Sequence, residues 1–334
     1  MSRFKIVITD FGDEDNELEQ AELRASGLDY ELVRLNARTA DELIPSIHDA
    51  HALIVQWASI SRPVIESLRQ CRVISRYGIG VDMIDLEAAT EHGILVCNVP
   101  DFCIDEVSTH TLAFVLALNR HLLAHHKHVT SGKWGGPPGG APVRLSRQTI
   151  GVLGLGKIGS EVARKSKGLG LRVIAYDPYL KPERAEALGV ELVGLDDLLR
   201  RSDYLSIHCP LTKETRHLIG AAQLALMKPS AFLINMARGP VVDQAALFSA
   251  LTGGVIAGAA LDVLEQEPPL PDDPLLKLPN VLLTPHTSSW SAESVVQLRR
   301  DVARNVVQVL RGDPPRAVVN PLVLRRTAGD HPAN

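Results

Sequence analysis

The stretch Thr149-Ile150-Gly151-Val152-Leu153-Gly154-Leu155-Gly156-Lys157-Ile158-Gly159 decides how this 334-residue chain folds. A short apolar run ends in glycines spaced G-x-G-x-x-G, and the helical pattern Ser160 to Gly168 follows at once. Each glycine has a steric task. Gly154 permits a tight turn, Gly156 lets a backbone approach a pyrophosphate, and Gly159 lets helix and strand pack closely, so that phosphates meet the N–H groups at Lys157 and Ile158. An acid, Asp177, closes the next apolar run 18 residues after Gly159, the distance at which a carboxylate meets a ribose diol. Alone, G-x-G-x-x-G is a weak signal; strand before, helix after and acid beyond make it a dinucleotide fingerprint. Asp177 would repel a 2′-phosphate, and no arginine stands beside it, so NAD is favoured over NADP, with Lys181 near enough to keep dual use open.

Outward from this unit, short apolar runs alternate with amphipathic stretches along almost the whole chain. The runs are Lys5-Thr9, Ala52-Val55, Val73-Ser75, Ile94-Cys97, Thr149-Leu153, Arg172-Tyr176, Tyr204-His208, Ala231-Asn235, Ile256-Leu261 and Val281-Thr284. Continuous apolar strands fit sheets covered by helices on both faces, and the alternation predicts an α/β fold with parallel sheets. Ten strands exceed what one open sheet comfortably holds, and the rhythm breaks twice. After Asn98-Val99-Pro100-Asp101, with Asp101 placed to cap it, Glu106 to Leu123 reads as one long helix. After Pro285 to Ser291, helical period returns over Ala292 to Leu310 and stops at Gly312.

If both breaks are crossings, an outer domain is built from both chain ends. The expectation is two doubly wound parallel-sheet domains: 1–100 plus 290–334 outside, and 101–289 as the Rossmann domain, carrying a long dimerisation helix and a Gly/Pro-rich arm at Gly132 to Pro142. The tail Arg325 to Asn334 holds little apolar material and reads as disordered.

Composition removes several functions. Lys+Arg 35 against Asp+Glu 39 gives a formal charge of -4, without the basic excess expected of a nucleic-acid binder. No apolar run approaches the roughly 18 residues of a spanning helix. The four cysteines form no CxxC pair, which argues against zinc ribbons and disulfide frameworks and suits a reducing cytoplasm. His121 and His125 have i, i+4 spacing but no Glu follows His121, so no metal is expected. The acidic residues Asp13 to Glu19 read as the opening of a helix whose N-terminus favours negative charge.

Three downstream segments each place a polar group after an apolar strand, where ligands gather in parallel sheets. They are Asn235-Met236-Ala237-Arg238-Gly239-Pro240, Ala260-Leu261-Asp262-Val263-Leu264-Glu265-Gln266-Glu267-Pro268 and Thr284-Pro285-His286-Thr287-Ser288-Ser289. Singly, Arg238, Glu267 and His286 have ordinary structural explanations; together, behind a dinucleotide motif, they suggest catalysis. Hydride delivery to a keto carbon leaves negative charge on oxygen, which a guanidinium and an imidazolium stabilise. A carboxylate beside an imidazole favours its protonated form, and arginine can hold a planar carboxylate with two parallel bonds. Trp290 follows His286 closely enough to line a substrate pocket.

From about Arg76 to Gly312 the chain resembles the D-2-hydroxyacid dehydrogenase family, which includes phosphoglycerate dehydrogenases and the C-terminal-binding-protein corepressors. Further motifs that carry the resemblance are Arg76-Tyr77-Gly78-Ile79-Gly80-Val81-Asp82, Gly93-Ile94-Leu95-Val96-Cys97-Asn98-Val99-Pro100 and His208-Cys209-Pro210-Leu211-Thr212. The Tyr-Gly-x-Gly form and the stretch Ala175 to Leu180 look closest to the corepressors, yet Ser289 stands where these carry Trp, which leaves that branch's substrate preferences behind.

The resemblance implies a flavodoxin-like outer domain, a homodimer, and reversible hydride transfer between a small 2-keto acid and a D-2-hydroxy acid. It implies His286 as proton donor and acceptor, Glu267 as its partner, Arg238 as carboxylate anchor, and peptide N–H groups at Gly78, Ile79 and Gly80 holding the substrate carboxylate. Cys209, Pro210, Thr215, Met236, Ala237, Asp262, His286 and Ser288 would touch the cofactor. Two alternatives follow from the same resemblance: an NAD(H)-binding scaffold that docks peptides, or a phosphite-type dehydrogenase. Formate is disfavoured because formate dehydrogenases of the family put Gln where Glu267 stands.

Overall fold

In the computed structural model, residues 3–11, 15–136 and 139–329 are described, and the chain divides into two compact units, Met1–Phe102 with Ser291–Asn334, and Cys103–Trp290. Both are α/β units with every strand parallel.

The first unit holds β1 (Phe4–Ile8), β2 (Tyr30–Arg34), β3 (Ala52–Val55), β4 (Val73–Arg76) and β5 (Leu95–Cys97) in the order β2-β1-β3-β4-β5. This is the flavodoxin-like order. The inner strands β3 and β4 are buried at every residue, because helices cover both faces. The helix Ala292–Arg311 from the far end of the chain packs on β4, where Ser75 Oγ donates to Val302 O at 3.0 Å. A capping box at Ser291 and Ser294 starts that helix, and Gly312, in the left-handed region at φ 84°, ends it.

Glu19 lies, as expected, in the first turn of a helix, Glu17–Ala25, and is fully buried there. Arg299 gives it two bonds at 2.8 Å and the Tyr77 hydroxyl donates to it at 3.0 Å. A carboxylate can leave water only with such partners. Asp13 and Glu14 lie outside the described residues.

The second unit holds β6 (Thr149–Leu153), β7 (Arg172–Tyr176), β8 (Glu191–Leu192), β9 (Tyr204–Ile207), β10 (Phe232–Asn235), β11 (Gly258–Leu261) and β12 (Val281–Leu283), ordered β12-β11-β10-β9-β6-β7-β8. Strand order reverses between β6 and β9, which makes that crevice the topological switch point.

Three expectations need correction. The segment Glu106 to Leu123 is two helices, Ile104–Asn119 and Leu122–Thr130, parted at His121 with φ 50°. Asn119 is buried, and its amide donates to Val143 O, Gln148 Oε1 and Tyr204 Oη, which fixes the end of the first helix against the sheet. Asp101 does not cap that helix; Cys103 occupies the cap position and the Asp101 carboxylate accepts from Arg316 at 2.8 Å. The tail is helical over Leu322–Gly329, and 330–334 lie outside the described residues. The arm has no regular structure over its described residues; Pro137 and Pro138 are not among them.

Candidate active site

The site is built at the carboxyl ends of the strands of the second unit. After β6 the chain turns at Gly154, whose φ is 93° and where a Cβ would stand 2.8 Å from Cys209 N. At Gly159 a Cβ would stand 2.0 Å from Gly154 O, so any side chain there drives the helix Lys157–Gly168 off the strand. Gly156, between them, is exposed, and a Cβ there would meet nothing within 4 Å. The two flanking glycines therefore make the turn and the middle one leaves open space in front of a helix N-terminus. The first N–H groups of that helix, through Lys157 and Ile158, have no partner within the helix. Space, donors and dipole fit a dinucleotide pyrophosphate.

Asp177 follows β7, half-buried, and its carboxylate accepts from Leu155 N at 2.9 Å and Tyr179 N at 3.0 Å. These bonds orient the acid across the glycine turn while each oxygen keeps a further lone pair for a ribose diol.

After β9 come His208, Cys209 and Pro210. His208 Nε2 lies 2.8 Å from Ser206 Oγ, whereas its Nδ1 is inaccessible and without a partner. Burial pushes the imidazole down to about 3, so it is neutral throughout the physiological range. Cys209 is buried and its thiol is pushed up to about 11 by desolvation, which makes it an unreactive packing residue. Thr215 Oγ1 donates to Pro210 O at 2.6 Å and accepts from Thr212 N at 2.7 Å, closing the turn after β9.

After β10, Asn235 shapes the turn that presents Arg238. Its amide accepts from Ala237 N at 3.0 Å and donates to Arg238 O at 2.9 Å, while Met236 is buried. A Cβ at Gly239 would fall 1.9 Å from Leu264 O, so this turn lies directly against the loop after β11. Neither Asn235 nor Gly239 carried a role in the sequence reading; the signal available was a polar residue at the end of an apolar strand and a glycine beside the arginine.

The loops after β11 and β12 bring Glu267 and His286 together. His286 Nδ1 and Glu267 Oε2 are 2.6 Å apart, and Glu267 Oε1 accepts from Leu264 N at 2.9 Å. Both side chains keep partial solvent access, 24% for His286 and 31% for Glu267. His286 has φ 54°, an unusual value for a residue with a side chain, and its N–H donates to Asp262 O at 2.8 Å.

Asp262, only 2% exposed, holds this bend from below. Its Oδ1 accepts from Thr284 Oγ1 at 2.6 Å and Thr287 N at 2.9 Å, and its Oδ2 from Ser288 N at 3.0 Å. Its oxygens are engaged with the loop that carries His286, a role that the strand-end position alone did not reveal. Trp290 is 72% exposed on the same loop, with its N–H on Thr287 O.

In the first unit, Gly78 lies in the left-handed region at φ 138°, where a Cβ would coincide with the buried Arg76 guanidinium. The Gly78 and Ile79 carbonyls are held by Val99 N and Asn98 Nδ2, the Gly78 N–H donates to Arg76 O at 2.9 Å, and Ile79 and Gly80 are half-buried. Among the described residues there is no group of three or more His, Cys, Asp or Glu that could hold a metal, and no helix long and apolar enough to cross a membrane.

Residues 112–288 match the family model described as D-isomer specific 2-hydroxyacid dehydrogenase, NAD binding domain. The chain is 43% identical over 284 residues to a D-3-phosphoglycerate dehydrogenase of Methanocaldococcus jannaschii, covering 84% of this chain and 54% of that protein. It is 41% identical over 287 residues to a glyoxylate reductase of Korarchaeum cryptofilum, covering 85% and 86%. The chain thus spans about half the length of the phosphoglycerate dehydrogenases it matches and most of the glyoxylate reductases. Among solved structures, D-lactate dehydrogenase from Aquifex aeolicus, complexed with NAD and lactic acid, superposes with a TM-score of 0.86 at 29% identity, covering 94% of this chain and 99% of that one.

Proposed function

Because the chain belongs to the D-isomer-specific 2-hydroxyacid dehydrogenase family, we propose that it interconverts a small 2-keto acid and the corresponding D-2-hydroxy acid, using NAD. The observation that carries this reading is the 2.6 Å pair of His286 Nδ1 and Glu267 Oε2, on the same sheet end as the glycine turn. The bound nicotinamide would supply or accept the hydride. The protein's part is proton transfer, orientation and charge stabilisation.

With Nδ1–H given to Glu267, Nε2 of His286 is the atom that holds the proton delivered to the keto oxygen, and that takes it back from the hydroxyl in oxidation. Glu267 fixes the imidazole's orientation and is itself anchored by Leu264 N. Arg238 would grip carboxylate and keto oxygen with two parallel bonds and so present one face of the carbonyl. Asp177 supports NAD over NADP, since it would crowd a 2′-phosphate with like charge. The near end-to-end match to glyoxylate reductases favours the smallest keto acids. A cytoplasmic homodimer is part of the proposal. It rests on four free cysteines and on Leu122, Leu123, Val129 and Trp134, four large apolar side chains each exposed on the helix Leu122–Thr130 or the arm.

The test is NADH oxidation against glyoxylate, hydroxypyruvate, pyruvate, phenylpyruvate and branched 2-keto acids, for the native protein and for His286→Ala. We expect turnover with the small keto acids, a loss of at least about 100-fold in His286→Ala, and NADH binding retained in that variant. Turnover of no member of the panel, or loss of NADH binding in His286→Ala, overturns the reading.

A further inference from the structure

His110 lies on the helix Ile104–Asn119, far in sequence from every segment that supplies the site, and nothing in the sequence reading gave it a task. Its Nε2 is 3.2 Å from Thr284 Oγ1, and Thr284 Oγ1 is 2.6 Å from Asp262 Oδ1. The half-buried imidazole is also set edge-on to Phe114, with ring centroids 4.7 Å apart.

The proton inventory orders this chain. A hydroxyl has one proton, and an ionised carboxylate can only accept, so the Thr284 proton goes to Asp262. The remaining bond then needs its proton from the ring, which fixes His110 as an Nε2–H donor. The series runs from His110 Nε2–H to Thr284 Oγ1–H to Asp262 Oδ1. It ends on the Asp262 carboxylate, which accepts the Thr287 and Ser288 N–H groups, while the main-chain carbonyl of the same residue accepts from His286 N.

His286 needs such support. A side-chain-bearing residue at φ 54° sits in a sparsely populated region that persists only when its surroundings over-determine it. Asp262 provides the bonds, but a carboxylate on a strand end can rotate about its own side-chain torsions. Thr284 occupies one side of Oδ1, and His110 stops the threonine from turning its hydroxyl elsewhere.

We propose that His110 is a positioning residue: through Thr284 it locks the Asp262 carboxylate, and thereby the left-handed bend that aims His286. Its effect on turnover rests on the function proposed above; its effect on the loop does not. Three substitutions separate the hydrogen bond from packing. His110→Phe keeps a flat ring against Phe114 and removes the donor, Thr284→Val removes the hydroxyl at nearly constant shape, and His110→Gln restores an N–H donor.

Two readouts are taken on the full-length protein. Hydrogen exchange is followed on the peptide containing residues 284–290, where loss of one link should speed exchange of the His286, Thr287 and Ser288 amides by about tenfold in His110→Phe and in Thr284→Val. The double variant should be no worse than the worse single one, because both break the same series. His110→Gln should return exchange most of the way to native. Where the native protein turns over a keto acid, kcat should fall by about tenfold in the two single variants, with KM changed less than about threefold, because Arg238 still holds the carboxylate.

Native-like exchange in 284–290 for both variants overturns the proposal whatever the enzyme assay shows. So does additive loss in the double variant. A native protein inert toward every keto acid, with exchange changed as described, refutes the assigned reaction and leaves the loop lock standing.

Discussion

Replacing Glu267 by Gln is the sharpest probe of the acid–base role proposed for Glu267 and His286. Gln has the same shape, and its carbonyl oxygen can still accept from Leu264 N as Glu267 Oε1 does at 2.9 Å, so the loop keeps its anchor. What changes is the position 2.6 Å from His286 Nδ1, where a charged acceptor becomes an amide –NH2 that can only donate, so the Nδ1–H bond is lost. A hydrogen bond to a charged group contributes about 1.5–3 kcal/mol. With the two side chains 24% and 31% exposed, water screens part of that, and about 1.5–2.5 kcal/mol is the reasonable range. If the imidazolium is needed only as charge develops on the keto oxygen, the loss falls on kcat, by roughly 10- to 70-fold at about 1.4 kcal/mol per decade.

The assay is steady-state NADH oxidation with glyoxylate, with kcat and KM separated and NADH affinity measured by fluorescence. The same substitution placed in His286→Ala should cost nothing further, because its only route of action has gone. A kcat within twofold of native, or an equal loss in the His286→Ala background, would show that Glu267 does not act through the imidazole.

Two further outcomes follow from other parts of the site. Asp177→Ala should raise kcat/KM for NADPH relative to NADH by about tenfold or more by removing like-charge repulsion; an unchanged ratio means the acid does not read the ribose. His208 gives a pH dependence of known sign. Its folded-state value is lowered from 6.5 to about 3, so below pH 6.5 the unfolded chain binds a proton that the folded one refuses. Stability then falls as pH drops, by about 2 kcal/mol for this group between pH 7.5 and pH 5. Urea melts at those two values should show His208→Gln losing about that much less than the native protein on acidification; equal losses would mean that His208 is solvated.

Ten strands were legible as unbroken apolar runs; most lie inside parallel sheets, where burial on both faces demands them, as in β3, β4, β6 and β9, and the edge strands β5 and β12 keep apolar runs too. β2 and β8 were not. They are edge strands, and Tyr30-Glu31-Leu32-Val33-Arg34 and Glu191-Leu192 carry the charged residues that keep an edge from pairing further. The break at His121 was also hidden, since the apolar spacing runs on through it while the capture of Asn119 by Tyr204 and Gln148 involves residues 85 and 29 positions away.

The amino-acid order by itself determined the parallel α/β class, the glycine turn with its acid, and the three strand ends bearing Arg238, Glu267 and His286. Each of these is local: a period, a spacing, or a polar residue closing an apolar run. Tertiary structure alone decided which of those groups are held and by what. Glu267 meets His286 across 19 positions, Asp262 grips the 284–288 loop across 22 and more, and His110 reaches Thr284 across 174. Likewise Glu19 is buried by an arginine 280 residues on, and burial strips His208 of its ordinary charge. Burial and hydrogen-bond partnership depend on which segments the fold brings side by side, and no local pattern encodes that.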